Sequence, residues 1–100
     1  MTVLIIHPLA RRDLRKATAW YAQRSPRAAV RLIRLVREAI LEISFDPIQY
    51  AKSLFGTRSC ALRTFPYSIV YYCDDFSVRI VAVAHAKRRP GYWRRRLRHP

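Results

Sequence analysis

The chain has 100 residues, with 20 Lys and Arg against 6 Asp and Glu, a formal net charge of +14. That length leaves room for one domain with one modest core, and 51% apolar residues suffice to fold it, so the charge decorates a globular body and does not mark a disordered tail. No stretch approaches the roughly 20 apolar residues of a membrane span and the opening residues lack the build of a signal peptide; the expected setting is the cytoplasm, with a polyanionic partner and no membrane.

Residues 2 to 6 form a short β-branched run that stops at His7-Pro8, where a strand gives way to a helix. From about Leu9 to Arg24, Ala10, Leu14, Ala17 and Tyr21 recur at helical spacing, with Arg11, Arg12, Arg15 and Lys16 off that stripe. Ser25-Pro26 supplies an N-cap and a first-turn proline for a second helix, about Pro26 to Phe45. Ala29, Leu32, Ile33, Val36, Ile40 and Ile43 share its apolar face, and Asp46-Pro47 ends it. So short a connection predicts an antiparallel helix hairpin.

Residues 47 to 58 read as irregular. Cys60 to Phe65, Tyr67 to Cys73 and Val78 to His85 are rich in aromatic and β-branched residues and predict three strands, turning at Pro66 and at Asp74-Asp75. The expected fold is therefore α+β, in the order β-α-α-β-β-β, with a single domain over residues 1–100. Residues 86 to 100 form a basic segment with Tyr92 and Trp93 among the arginines. It is expected either as a short helix after Pro90-Gly91 or as a mobile arm.

The scarcity of acids is the first filter on chemistry. Metal-dependent hydrolysis needs two or three convergent carboxylates, and only Asp74-Asp75 lie together, as expected of a solvated hairpin tip. Two cysteines, Cys60 and Cys73, are too few for a zinc site, and they read as small buried hydrophobes on neighbouring strands. Neither a phosphate-binding glycine loop nor a cofactor motif is present, so no cofactor is expected.

Metal-free cleavage of RNA remains open, since it needs only a base, an acid and cations around the phosphorane. His85, Lys87, Arg88, Arg89 and Tyr92 gather at the end of the last strand, and Arg63 sits in the apolar run Ala61-Leu62-Arg63-Thr64-Phe65. Each has a plainer reading. Arg63 fits a salt bridge as well as a phosphate, His85 fits a backbone hydrogen bond at a strand end, and the basic run fits a solvated face or a nucleic-acid anchor. Trp93, flanked by Arg94, Arg95 and Arg96, suits stacking on a base or docking to a partner.

Several stretches together resemble the RelE/ParE toxins of bacterial type II toxin–antitoxin modules. They are Ala17-Thr18-Ala19-Trp20-Tyr21, Arg24-Ser25-Pro26, Phe45-Asp46-Pro47, Leu62 to Tyr71, Ala82-Val83-Ala84-His85 and Arg89-Pro90-Gly91-Tyr92-Trp93. The resemblance implies a helix hairpin packed on a curved, mainly antiparallel sheet, and a growth-inhibiting toxin neutralised by an acidic antitoxin that folds on binding. The Phe-Pro-Tyr turn and the tail from His85 to Trp93 look more like the ParE branch, whose members poison DNA gyrase.

On that reading Lys87, Trp93, Arg94, Arg95 and Arg96 contact the target. The RelE branch instead cuts ribosome-bound mRNA. It implies catalytic roles for Arg63, His85, Arg88, Arg89 and Tyr92, but its lysines before the second strand are matched at best by Lys52 and Arg58. A third reading, outside the toxins, is a basic nucleic-acid-binding module with steeply salt-dependent binding.

Overall fold

A computed structural model describes residues 3–99. Thr2, expected in the first strand, and Pro100, in the basic segment, lie outside the described residues. The elements run β1 (Val3–Ile6), α1 (Pro8–Ala22), α2 (Pro26–Phe45), β2 (Arg58–Ala61), β3 (Tyr67–Cys73) and β4 (Ser77–His85), with short 3-10 turns at Leu54–Gly56 and Arg94–Leu97.

The helix boundaries follow from capping chemistry. Pro8 opens α1, and His7 Nδ1 accepts the Leu9 N–H at 3.0 Å. With Nδ1 so engaged the ring proton sits on Nε2, which donates to the His99 carbonyl at 2.7 Å and ties the basic segment to the start of α1. Ser25 Oγ accepts the Ala28 N–H at 3.2 Å to begin α2, and Asp46 before Pro47 closes it. The hairpin buries Ala10 and Ala17 of α1 and Ala29, Leu32, Val36, Ala39 and Ile43 of α2.

The sheet order is β1-β4-β3-β2. β1 runs parallel to β4, while β4 with β3 and β3 with β2 are antiparallel, so the fold is the expected α+β arrangement on a mixed open sheet. The two faces of the sheet serve two cores, and a register shift opposite Val70/Tyr71, which leaves Val81 without a partner on β3, switches the alternation along β4. Ile69, Tyr71, Val78, Ile80 and Val83 pack under the helices, and Val70, Val81 and Ala82 pack with Trp93 in a second cluster. Each fully buried aliphatic side chain contributes about 1.5–3 kcal/mol of hydrophobic stabilisation. The β3–β4 turn is held by Asp74, whose Oδ1 accepts the N–H groups of Phe76 and Ser77, both at 2.8 Å. Those two backbone donors hold its carboxyl below the usual carboxylate range.

Two sequence expectations need correction, and one of two alternatives is decided. The strand expected over residues 60 to 65 is Arg58–Ala61, and residues 62–66 form a turn in which Thr64 has φ 73°. Leu62 and Phe65 still pack against the core, which is why the stretch reads as a strand. Of the two forms expected for the basic segment the short helix holds, as the 3-10 turn Arg94–Leu97, and it folds back with Trp93 only 4% exposed and Leu97 against the second cluster. Cys60 is buried on β2 opposite Ile69, whereas Cys73 on the neighbouring β3, paired with Val78, is only half-buried.

Candidate functional site

β1 pairs with β4 only as far as Ile80, so the continuation of β4 reaches past the edge strand with polar backbone groups to satisfy. Other parts of the chain supply the partners. The His7 N–H donates to the Ile80 carbonyl at 2.9 Å, and Arg96 Nη1 donates to the Val81 carbonyl at 3.1 Å. The Val83 N–H donates to Asp13 Oδ2 at 3.1 Å.

Asp13 and Arg96 also bind each other, at 2.6 Å through Nη1 and 3.1 Å through Nη2, with side chains only 15% and 11% exposed. One bidentate pair thus joins α1, the free edge of β4 and the 3-10 turn of the basic segment. Asp13 lies three residues after Ala10 and four before Ala17, on the buried stripe of α1. An acid in that register was the signal for a buried cation, and sequence reasoning passed over it.

Beside this junction α1 and the end of β4 enclose a cleft of about 410 Å³, inside the size range of small-ligand sites. Lys16, Trp20 and Tyr21 come from α1, Tyr67 from β3, His85 from β4, and Arg88 and Tyr92 from the segment that follows. The Arg88 guanidinium lies over the Tyr92 ring at 4.0 Å, and Tyr67 meets His85 edge-on at 5.0 Å. Burial, and after it the charge of Asp13, pushes the Tyr92 hydroxyl above its ordinary pKa. His85 Nδ1 accepts the Lys87 N–H at 3.0 Å, so the neutral ring offers Nε2–H, a donor. The cleft therefore presents donors and cations, an arrangement made for an anion. Among the described residues no three His, Cys, Asp or Glu gather to hold a metal ion.

The sequence-predicted residues divide among several places. His85, Arg88 and Tyr92 share the cleft, and Lys16, Trp20 and Tyr67 join them unforeseen. Arg63 is exposed in the turn before β3 and lines a separate groove with Glu38, Glu42, Tyr50 and Cys60. Lys87 and Arg89 are exposed after β4, and Arg94 and Arg95 are exposed on the 3-10 turn. Trp93 and Arg96 do not belong with them. Trp93 is a core residue with no free face for a base, and Arg96 is committed to Asp13 and Val81.

A family model described as the ParE toxin of the type II toxin-antitoxin system, parDE, matches residues 4–90. A solved structure described as the chromosomal ParDE TA system from P. aeruginosa contains a similar chain. The likeness has a TM-score of 0.77 at 19% identity, covering 87% of this chain and 98% of that one, and at such identity it speaks to the fold. No curated protein matches the chain significantly. With the family model spanning the helix hairpin and the whole sheet, the chain belongs to the ParE toxin family of type II toxin–antitoxin systems.

Proposed function

We propose that this ParE-type toxin inhibits growth by poisoning DNA gyrase, and that a cognate acidic antitoxin neutralises it. The family match over residues 4–90 carries the reading. Two features support it. The groups that metal-free RNA cleavage would require are divided, with Arg63 in a groove apart from His85, Arg88 and Tyr92. His85 Nδ1, moreover, is taken up by the Lys87 N–H.

The contact surface for gyrase and its DNA is assigned to the exposed cations Lys87, Arg89, Arg94 and Arg95, which follow one another along the basic segment. An antitoxin segment rich in Asp and Glu matches a surface carrying +14. The test is supercoiling of relaxed plasmid by purified gyrase. Added toxin is expected to stop the reaction and to leave cleaved DNA after protein digestion, and prior mixing with the antitoxin to restore it. Undiminished supercoiling with no cleaved DNA refutes the proposal.

A second reading rests on the gathering of His85, Arg88 and Tyr92 in one cleft. It predicts ribosome-dependent cleavage of mRNA that persists in EDTA and is lost in Arg88→Ala. Intact message in a translating extract removes it.

A further inference from the structure

From its walls we infer that the cleft between α1 and the end of β4 is a binding site for a single nucleotide unit, an unstacked base with its phosphate. The inference is independent of whether gyrase is the target.

The cleft has the chemistry of both halves of such a ligand. Lys16 and Arg88 bring two cations, and His85 brings a third donor through Nε2–H. Asp13 is the one acid on the lining, and its carboxylate is already taken up by both Nη atoms of Arg96 and by the Val83 N–H. The local balance therefore favours an anion. A phosphate alone, however, would leave the rest of the cleft unused. Trp20, Tyr67 and Tyr92 supply aromatic surface around the cations, Trp20 being 51% exposed with the Arg24 guanidinium 3.7 Å over its ring. Arg88 over Tyr92 is a guanidinium–ring pair of the kind on which bases stack.

The competing ligand classes fit less well. An apolar molecule would bury Lys16 and Arg88 without partners. An acidic side chain would use the cations and leave the rings bare. A metal ion finds no group of three His, Cys, Asp or Glu side chains among the described residues. The volume of about 410 Å³ accepts one nucleotide.

The same chemistry arises from a free nucleotide or from one unit of a single strand, and the experiment separates them. The full-length toxin, labelled with ¹⁵N, is titrated with AMP, adenosine, inorganic phosphate and a deoxyadenosine decamer at constant salt. Trp20 and Trp93 give two indole signals, one beside the cleft and one in the core. The expected result is a saturable shift of the Trp20 indole with AMP while the Trp93 indole stays still. Adenosine and phosphate each bind at least tenfold more weakly than AMP, since each engages only half of the site.

Lys16→Ala and Arg88→Ala each weaken AMP at least tenfold, whereas Arg37→Ala, an exposed cation on α2 away from the cleft, leaves it unchanged. Circular dichroism confirms that the variants are folded, and both changes fall on exposed positions. Saturation by AMP identifies a free nucleotide as sufficient. Saturation by the decamer alone, with the same dependence on Lys16 and Arg88, identifies a strand as the source. The inference is overturned if no probe moves Trp20 saturably, or if Lys16→Ala and Arg88→Ala bind like Arg37→Ala. Either failure leaves the supercoiling assay unaffected, so the two readings fall separately.

Discussion

Replacing Arg96 by methionine keeps most of the side-chain volume and removes the guanidinium that binds Asp13. Three hydrogen bonds go with it: two to the Asp13 carboxylate, at 2.6 and 3.1 Å, and one to the Val81 carbonyl at 3.1 Å. Breaking a buried pair from one side costs about 3–5 kcal/mol, because the remaining charge stays desolvated. Here the side chains keep 11% and 15% of their exposure, and Asp13 retains the Val83 N–H. The cost expected for Arg96→Met is therefore about 2–4 kcal/mol.

In a domain of this size such a loss lowers Tm by roughly 10–25 °C. Urea denaturation followed by far-ultraviolet circular dichroism measures it, with the m-value unchanged if only stability is altered. Asp13→Asn, Arg96→Met and the double variant form a cycle whose coupling is expected to exceed about 1.5 kcal/mol. A cost for Arg96→Met under about 1 kcal/mol, or single costs that simply add, refutes the claim that this pair fastens the basic segment to the fold.

Three further outcomes are expected. Trp93→Ala should cost about 3–5 kcal/mol and remove near-ultraviolet dichroism, because it empties the second core cluster; a change under 1 kcal/mol returns Trp93 to the surface. Gly91→Ala should cost about 1–3 kcal/mol, since Gly91 has φ +77° and a Cβ there would stand 2.9 Å from Phe55 Cε2; an unchanged urea midpoint contradicts that packing. Burial pushes the Tyr71 hydroxyl up to about 12 from 10.0. Its folded pKa is the higher one, so the stability it contributes is fully present below pH 10 and is lost as pH rises toward 12, at about 1.4 kcal/mol per unit. Comparing the wild type with Tyr71→Phe over pH 9 to 12 isolates that slope, and identical slopes disprove the assignment.

The helix hairpin was legible because each of its signals is local. Ser25-Pro26 starts α2, Asp46-Pro47 stops it, and Ala29, Leu32, Val36 and Ile43 mark its buried face over about four turns. The turn at residues 62–66 was not legible. Leu62 and Phe65 reach the core from a turn as well as a strand would, and nothing in the local pattern shows that Thr64 takes a positive φ. The cleft was half legible. His85, Arg88 and Tyr92 lie close in sequence and are close in space. Lys16 and Trp20 join them only through the packing of α1 on β4, which no short window of sequence encodes. Trp93 misled for a related reason: surrounded by arginines it resembles a surface residue, yet of Arg94, Arg95 and Arg96 only the first two are exposed, on a turn whose inner side carries Trp93, Leu97 and the Arg96 pair with Asp13.

The parallel pairing of β1 with β4 bears on how the toxin comes into being. Residues 3–6 find their register only against residues 77–80, and Asp13 meets Arg96 across 83 positions. During synthesis the apolar start of the chain has no partner until the last strand has left the ribosome, whereas the helix hairpin needs only its own residues. Such long-range closure is slow and all-or-none. The residues of the hairpin therefore emerge before those of the sheet that closes on them, and the cleft cannot exist until residues 77–92 have been made.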